Sequence, residues 1–343
     1  MPNSKLLTSQ ATDDDLRTYA DRFRIGAVGL AAPVEGFRRE AVEQTIHLLQ
    51  EKGFSVKVGD TVFGNAGYKT APAKERIRDL ENMFRDPDVN LIINLTGGYN
   101  SNDLLQDLDY DMIQKNPKWF VGYSDITAVN LALYTRARLH TVNGQMLVDT
   151  AFDPQSLHRL FSSLAKGTSE FSQPEKLWTS RFEEKEKTEA TLGPVQRLPN
   201  KKESAAGKII AGNLSTFNLL LGTPYMPQEK DAVFFLEYDK EEAHGLPAIE
   251  RMLRQIQLAR MFDEARALVF GALEGAVQKE EDGHDHLLRI LSDVTEGCDF
   301  PVVFNAGFGH SYPSWPLING QKVSIQGTSI TALEPVSSPM QKE

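Results

Sequence analysis

The sequence predicts an α/β fold built from two domains, and three observations support this. Short apolar runs alternate with segments of helical spacing from about residue 24 onward, which is typical of strands joined by helices in a mostly parallel sheet. The chain has 343 residues, enough for two domains that each bury a core. A stretch rich in charge and poor in apolar residues separates two such alternating series. We therefore predict an N-terminal doubly wound domain (1–165), a linker or lid (166–206) and a C-terminal α/β domain with strand-rich closure (207–343).

The first half contains four predicted strands and four predicted helices. The run "VNLIINL" is apolar over most of its length, which indicates a buried strand, and Gly53 marks the end of the first helix. The predicted strands are Ile25–Ala31, Ser55–Val58, Val89–Leu95 and Trp119–Gly122. The predicted helices are Glu40–Lys52, Ala73–Phe84, a helix that begins near Ser101, and about Asp125–Ala137.

The second half repeats the alternation and ends in a predicted strand pair. The predicted strands are Lys208–Ala211, Ala232–Glu237, Ala265–Gly271 and Val302–Phe308, and the alternating tail Ile318–Leu333 closes the domain. The predicted helices are the segment that places Leu214, Phe217 and Leu221 on one face, then Pro247–Met261 and His286–Thr295.

The stretch Thr179–Ser204 between the halves is either a solvated linker or a functional lid. A structureless segment of this length is uncommon inside a compact protein. Aromatic residues beside it, Phe171, Trp178 and Phe182, favour a segment that covers something flat.

Composition excludes several classes of function. No apolar run approaches the roughly 18 residues of a membrane span, and the N-terminus lacks the features of a signal peptide, so we expect a cytoplasmic protein that does not insert into membranes. The net charge of −10 disfavours nucleic acid as a partner. The single cysteine, Cys298, excludes an internal disulfide and has no second cysteine with which to bind a metal. A small molecule or peptide is the expected ligand.

The stretch "VGYSDIT", residues 121–127, places a serine between a predicted strand and a predicted helix. A serine there lies at the carboxyl edge of the sheet, beside helix N-terminal N–H groups that favour a developing oxyanion, and Gly122 permits the tight turn. However, Ile126 stands where a G-x-S-x-G elbow has its second glycine. Ser124 is therefore either a nucleophile or, like Asp125, a helix N-cap.

A second turn between a strand and a helix, in "LTGGYNSNDLL", brings further backbone donors. Gly97 and Gly98 allow the backbone to approach a ligand closely, before a helix capped by Asn100 or Ser101. An oxyanion hole needs two donors, and the N–H groups of Gly98 and Asp125 are the natural pair. Phosphate binding is the competing interpretation, although the segment matches neither common phosphate-binding motif.

A serine nucleophile needs a base and a group that orients the base. His310 follows a predicted strand in "VVFNAGFGH", where sheet-based sites collect polar groups. Glu237 ends the apolar run "AVFFLE" and is the candidate orienter; alternatively, it begins a solvated acidic loop. The trio His284, Asp285 and His286 has a spacing more typical of a solvated helix cap than of a metal site, so no metal is predicted.

Four ordered blocks of the chain resemble one serine peptidase family, S66, which includes the LD-carboxypeptidases of murein recycling and the microcin C7 self-immunity protein. The blocks are "GGYNSNDLLQDLDYDMIQKNPKWFVGYSDIT", "AGNLSTFNLLLGTPYMP", "VFFLE" and "GHSYPSWPLING". The resemblance implies that Ser124 is the nucleophile, His310 the general base, Glu237 its orienter, and the N–H groups of Gly98 and Asp125 the oxyanion hole. It also implies substrate contacts from Gly97 and Asn213, an active site between the two domains, a homodimer, and no metal or cofactor.

Two substrate classes occur in that family. Carboxypeptidase members release the terminal D-alanine of murein tetrapeptides, whereas the immunity type cleaves the amide between an amino acid or peptide and a nucleotide-like sulfamate or phosphoramidate. The segment "KLWTSRF" resembles the loop with which the immunity type stacks adenine, so the sequence favours that type, with Trp178 as the stacking residue. The chain departs from the family at Asn143 and Gln145, in "VNGQM", and in lacking a second tryptophan after Trp178. A nucleotide- or peptide-binding protein without catalysis is the alternative of another class.

Overall fold

The computed structural model places two large sheets and a two-stranded sheet in one chain. It describes residues 16–31, 39–64, 66, 69–150, 154–174, 176–179, 188–191, 193–239, 245–273 and 283–341. The mixed α/β class predicted from the sequence is confirmed, with a mostly parallel sheet in the N-terminal half.

The first sheet has six strands in the order β13-β5-β4-β3-β1-β2. Five of them are parallel, because each is followed by a helix that returns the chain to the same edge, and β13 pairs with β5 in the antiparallel direction. The strands are β1 (Arg24–Val28), β2 (Ser55–Val58), β3 (Leu91–Asn94), β4 (Trp119–Gly122), β5 (Val142–Asn143) and β13 (Leu317–Ile318).

Six α-helices with both ends described accompany this sheet, and residues 16–20 are also helical. In α2, apolar residues at helical spacing, Ile77, Leu80 and Phe84, are buried, so one face of the helix packs on the sheet. In α4 every residue from 127 to 134 is buried, which places this helix between the two halves of the molecule. The helices are α1 (Arg39–Glu51), α2 (Ala73–Arg85), α3 (Tyr110–Lys115), α4 (Thr127–Arg136), α5 (Leu147–Thr150) and α6 (Pro154–Lys166).

The second sheet has seven strands in the order β15-β14-β9-β10-β11-β12-β8. Its four central strands, β9 to β12, are parallel, while β14 and β15 form an antiparallel pair on β9 and β8 lies antiparallel to β12. The strands are β8 (Gln196–Arg197), β9 (Ser204–Asn213), β10 (Ala232–Glu237), β11 (Ala267–Gly271), β12 (Val302–Ala306), β14 (Lys322–Gln326) and β15 (Ser329–Ala332). The helices of this half are α7 (Leu214–Leu219), α8 (Gly245–Leu258) and α9 (Gly283–Val294).

The segment predicted as a linker or lid, residues 166–206, contains strands. Residues of β6 (Lys176–Thr179) pair with β7 (Thr188–Thr191), and β8 joins the edge of the second sheet. Backbone pairing therefore orders these parts of the stretch, and whether it acts as a linker or a lid stays a prediction. Phe182 lies outside the described residues. Whether the domain boundaries fall at 165 and 207 stays a prediction; β13, from the second half, belongs to the first sheet.

The prediction of a helix near Ser101 is wrong in type, because the chain there forms only one short 3-10 turn, Ser101–Leu104. The sequence predicted no element over the residues that form helices α5 and α6.

Two kinds of feature are absent from the parts of the chain that the structure describes. No helix there is long and apolar enough to cross a membrane. No group of three or more His, Cys, Asp or Glu side chains there is arranged to hold a metal ion.

Candidate active site

Ser124 lies in a tight turn directly after β4. Its backbone is left-handed, with φ of 59°, which is uncommon for a residue other than glycine and is found where surrounding structure enforces it. A Cβ on Gly122 would lie 2.5 Å from Cγ2 of Ile126, so only glycine allows the chain to turn this sharply. The residue that breaks the G-x-S-x-G pattern, Ile126, thus fills the space beside the turn.

The turn after β3 packs against the serine. A Cβ on Gly97 would lie 2.8 Å from Cβ of Ser124 and 3.1 Å from its Oγ. Gly98 and Asn100 adopt positive φ angles of 128° and 68°, so the backbone changes direction here instead of continuing into a helix. The N–H groups of Gly98 and Asp125 therefore belong to two turns that close on the same hydroxyl.

Hydrogen bonds join these two turns. The N–H of Ser101 donates to Oδ2 of Asp125 over 2.8 Å, and the hydroxyl of Ser101 donates to the carbonyl of Asp125 over 2.6 Å. Burial raises the pKa of Asp125 to about 6, while the hydrogen bonds from Ser101 and the charge of Arg76 act to lower it. The expectation that Asp125 or Ser124 is the N-cap of its helix is wrong, because the N-cap residue is Tyr123 for the 3-10 turn Ser124–Ile126 and Ile126 for α4. Asp125 instead holds the neighbouring turn.

The buried side chain of Arg76 supports the turn that contains Gly97 and Gly98. The guanidinium of Arg76 is fully buried and donates to the carbonyls of Leu30 and Asn100 and, over 3.2 Å, to Oδ2 of Asp103. Asp103 also pairs with Lys69. The predicted side-chain cap from Asn100 or Ser101 is absent from the 3-10 turn, and Arg76 performs the anchoring instead.

Ser124, His310 and Glu237 form a continuous chain of hydrogen bonds. Nε2 of His310 lies 3.0 Å from Oγ of Ser124, and Nδ1 lies 2.7 Å from Oε2 of Glu237. Glu237 is only 1% exposed, so the alternative that it begins a solvated loop is wrong. The arrangement matches the geometry of a nucleophile, its base and the group that orients the base.

Two glycines let the histidine loop approach the glutamate. A Cβ on Gly309 would lie 2.9 Å from both Cβ and Oε2 of Glu237, and a Cβ on Gly271 would also lie 2.9 Å from Cβ of Glu237. Gly309 has φ of 108°, a conformation that a larger residue rarely adopts. The loop before His310 therefore depends on glycine both for its backbone and for its contact with Glu237.

Sequence reasoning missed three side chains beside this chain of hydrogen bonds. The hydroxyls of Tyr123 and Tyr312 lie 3.1 Å apart in a buried position, and the Tyr123 ring lies 4.9 Å from the His310 ring between centroids. Oδ2 of Asp239 lies 3.5 Å from Nε2 of His310. Each follows or precedes a predicted site residue by one or two positions, and that proximity in sequence was the only available signal.

Asn213 joins the two halves of the molecule at this site. Its N–H donates to Oγ1 of Thr127 over 2.9 Å, and its side-chain oxygen accepts from the N–H groups of Ser215 and Thr216, so it caps α7. A Cβ on Gly212 would lie 2.3 Å from Cγ2 of Thr127, which shows how closely β9 approaches α4. The structure thus assigns Asn213 a structural role, and its predicted substrate contact is untested.

The backbone of Trp178 pairs with that of Glu189 across β6 and β7, and the stacking role of Trp178 stays a prediction.

Two other histidines lie in surroundings different from those of His310. Nδ1 of His140 lies 2.8 Å from the carbonyl of Asn319, and His47 is an exposed neighbour of Glu51.

Two family models match most of the chain. Residues 25–144 match the model of the LD-carboxypeptidase N-terminal domain, and residues 206–325 match that of the C-terminal domain, both of peptidase family S66. The chain belongs to peptidase family S66. It is accordingly a serine peptidase, and the resemblance inferred from the four sequence blocks is confirmed.

Relatives of this chain include a protein named as a carboxypeptidase and a microcin immunity protein. It is 28% identical over 307 residues to a probable murein peptide carboxypeptidase of Bacillus subtilis, covering 89% of this chain and 90% of the relative. It is 27% identical over 320 residues to the microcin C7 self-immunity protein MccF of Escherichia coli, covering 88% of this chain and 90% of the relative.

Solved structures of S66 proteins share the fold. The MccF-like protein from Bacillus anthracis str. Ames superposes with a TM-score of 0.81 at 28% identity, covering 91% of this chain and 96% of that one. MccF in complex with aspartyl sulfamoyl adenosine superposes with a TM-score of 0.77 at 24% identity, covering 93% of this chain and 97% of that one, and supports the fold alone.

Proposed function

We propose that this peptidase hydrolyses an amide bond through an acyl-enzyme on Ser124, with His310 as general base and Glu237 as its orienter. The observation that carries the proposal is the chain of hydrogen bonds from Ser124 Oγ to His310 Nε2 at 3.0 Å and from His310 Nδ1 to Glu237 Oε2 at 2.7 Å. Both distances lie within the range of normal hydrogen bonds.

In the proposed reaction Oγ of Ser124 attacks the carbonyl carbon while its proton passes to Nε2 of His310. The oxyanion accepts hydrogen bonds from the N–H groups of Gly98 and Asp125. The C–N bond then breaks, the proton passes from His310 to the leaving nitrogen, and water, activated by the same histidine, releases the acyl group. The buried carboxylate of Glu237 stabilises the imidazolium that forms in each half of the reaction.

We propose an aminoacyl- or peptidyl-nucleotide as the substrate. The similarity to MccF, a solved structure of which holds aspartyl sulfamoyl adenosine, supports this choice. Trp178 in β6 is the proposed stacking residue for the base, and Gly97 and Asn213 are proposed to contact the acyl part. The competing substrate is a murein tetrapeptide that loses D-alanine, which the similarity to the B. subtilis carboxypeptidase supports to about the same degree.

Parallel assays of an aminoacyl-sulfamoyl adenosine and a murein tetrapeptide test the substrate class. We expect a higher kcat/KM on the nucleotide, and a further loss on that substrate alone in a Trp178→Ala variant, because base stacking on an aromatic ring contributes about 1–3 kcal/mol. Preference for the tetrapeptide would overturn the nucleotide assignment.

The Ser124→Ala variant tests the mechanism. Turnover should fall by several orders of magnitude on either substrate while the melting temperature changes little, since removing a triad nucleophile removes the covalent route. An active Ser124→Ala protein would refute the acyl-enzyme. A wild-type protein that binds both ligands and hydrolyses neither would favour the non-catalytic binder.

We also propose that the protein works as a homodimer, an expectation taken from the S66 resemblance. Light scattering coupled to size-exclusion chromatography tests this, and a mass of one chain across micromolar concentrations would contradict it.

A further inference from the structure

Two buried asparagines donate hydrogen bonds to the backbone just before the serine turn. Nδ2 of Asn94, at the end of β3, donates to the carbonyl of Val121 over 2.8 Å. Nδ2 of Asn130, within α4, donates to the carbonyl of Gly122 over 2.7 Å. Both asparagines are fully buried. The two carbonyls belong to consecutive residues of β4, and the chain runs from them directly into the turn of Ser124.

The carbonyl partners fix the orientation of both amides. A carbonyl oxygen only accepts hydrogen bonds, so the nitrogen of each amide must face it. Among the described residues, Oδ1 of Asn94 and Oδ1 of Asn130 are buried without a hydrogen-bond partner. A buried acceptor without a donor costs free energy, and asparagine is a poor helix former. An apolar side chain would avoid these costs, so the hydrogen bond to the strand end is the structural reason for an amide at each position.

Asn130 closes the strand, turn and helix around Ser124. It lies in the helix that follows the serine, whereas its partner Gly122 ends the strand that precedes the serine. The backbone holds this carbonyl only weakly, because the N–H of Gly144 lies 3.4 Å from it, which is longer than a normal hydrogen bond. The side chain of Asn130, at 2.7 Å, makes the shorter of these two contacts with the carbonyl of Gly122.

Asn94 joins the two turns of the candidate active site. The chain runs from Asn94 into the turn that contains Gly97 and Gly98, while the amide of Asn94 binds the strand that leads to Ser124. A Cβ on Gly122 would lie 3.0 Å from Nδ2 of Asn94, so the amide lies close beside the position where glycine has no side chain. The hydrogen bond therefore fixes the end of β3 against the end of β4, and with them the origins of the two turns.

The backbone of Ser124 requires support of this kind. Its φ of 59° costs free energy in a residue other than glycine and persists only where the surrounding structure holds it. The hydrogen bonds between Ser101 and Asp125 hold the residue that follows the serine. Asn94 and Asn130 hold the backbone that precedes it. The position of the serine hydroxyl thus depends on contacts on both sides of the turn.

We propose that Asn94 and Asn130 are positioning residues that hold Oγ of Ser124 in its reactive place through the two carbonyls before the turn. This inference rests on the proposed role of Ser124 as the nucleophile. Both asparagines are fully buried, so they act on the rate of reaction and not on substrate binding. Because a displacement of 1 Å at reacting groups reduces the rate about 100-fold, we expect the loss of either amide to lower kcat about tenfold and to leave KM within about twofold.

The variants Asn94→Ala and Asn130→Ala, each made alone, test the inference. The measurements are the melting temperature, kcat and KM on the preferred amide, and the rate at which a fluorophosphonate labels Ser124 in the folded protein. The values of kcat and the labelling rate should fall together, because both depend on the position of Oγ. Asn94→Thr and Asn130→Thr nearly preserve the side-chain volume and place the polar group too far from the carbonyl. They should show the same losses, and they replace an alanine protein that does not fold.

The matched control is Thr295→Val. Oγ1 of Thr295 is buried and donates to the carbonyl of Leu291 in α9 over 2.6 Å, so this change also removes a buried hydrogen bond from a side chain to the backbone. It should lower the melting temperature and leave kcat and the labelling rate unchanged. Variants of Asn94 and Asn130 that behave in the same way would overturn the positioning role, because the amides would then contribute to stability alone. A rise in KM with kcat unchanged would also overturn it.

The wild-type protein separates this inference from the proposed function. Labelling of Ser124, located by mass spectrometry and lost in Ser124→Ala, together with amide hydrolysis supports the nucleophile whatever the asparagine variants do. A reactive wild type whose asparagine variants react at the same rate overturns the positioning role alone. A wild type that is not labelled at Ser124 and hydrolyses no amide contradicts the proposed function and, with it, this inference.

Discussion

Replacing Gly97 by alanine should displace the nucleophile. The added Cβ would lie 2.8 Å from Cβ of Ser124, 3.1 Å from its Oγ and 3.4 Å from Cε of Met146. Carbon atoms in contact prefer separations of about 3.5–4.0 Å, so the two turns must separate by about 0.7 Å or more. Met146 can rotate its terminal methyl, whereas Ser124 is held in a left-handed turn, so the displacement falls on the Oγ to Nε2 hydrogen bond.

The expected loss of kcat/KM follows from the sensitivity of catalysis to the position of the reacting groups. A misplacement of 1 Å at reacting groups can reduce the rate about 100-fold, so we expect kcat/KM to fall by about 10- to 100-fold, or roughly 1.4 to 2.7 kcal/mol in activation free energy. Overpacking of this kind also costs about 1–3 kcal/mol of folding free energy. The variant should therefore be folded, less stable and slow.

The assay measures kcat/KM on the preferred amide together with the rate of labelling by a fluorophosphonate. Both should fall, because both depend on the position of Oγ relative to His310. The matched control is Gly144→Ala on the neighbouring loop, whose Cβ would make only ordinary contacts of 3.4 Å with Leu160 and Val142. A Gly97→Ala protein with both rates within twofold of the wild type would refute the proposed packing of the glycine turn on the nucleophile.

Three further predictions concern the same turns. Ser124→Gly should unfold with a free energy about 1 kcal/mol higher than Ser124→Ala, because glycine adopts φ of 59° without strain; equal or lower stability in urea titration would contradict the strained turn. The pKa of Asp125 is raised from 3.8 to about 6, so the folded state binds this proton more tightly than the unfolded state, and the associated stability is present below pH 4 and lost as pH rises through 6. Asp125→Asn should flatten that part of the pH profile of unfolding, and an unchanged slope between pH 4 and 6 would count against it. A double-mutant cycle of Tyr123→Phe and Tyr312→Phe should give a coupling free energy of about 1 kcal/mol from the lost hydroxyl contact, and additive effects would show that this contact contributes nothing.

The parallel strands were the most predictable part of the fold. The apolar runs of β3, β4, β10 and β11 are buried along their whole length, so their sequences show a strong local signal. The two-residue strand β5 and the short helix α5 have too few residues for a period to be visible. Strands β6 to β8 were missed because they have only two to four residues each, too few for an alternating pattern to be visible.

The candidate site was predictable one residue at a time. Ser124 and Glu237 each end or follow a buried strand, and His310 follows another, which is where parallel sheets collect polar groups. The structure brings the three into hydrogen-bonding contact across 186 and 73 residues of sequence, while their catalytic roles stay a prediction. The structural role of Asp125 was not predictable, because a residue that caps a helix and a residue that joins two turns have the same appearance in the sequence.

The sequence by itself determined which residue types stand at strand ends, the glycines that permit their turns, and the membership in family S66. The tertiary structure alone decided that residues at the carboxyl ends of strands from two different sheets meet, that Ser101 joins the turn of Asp125, and that Asp239 lies beside His310. The physical reason is that local spacing controls secondary structure through side-chain periodicity and backbone sterics, whereas contacts between distant turns depend on how whole sheets and helices pack. Ser124 shows both: its turn was predictable from Gly122, whereas its left-handed backbone is visible only in the structure.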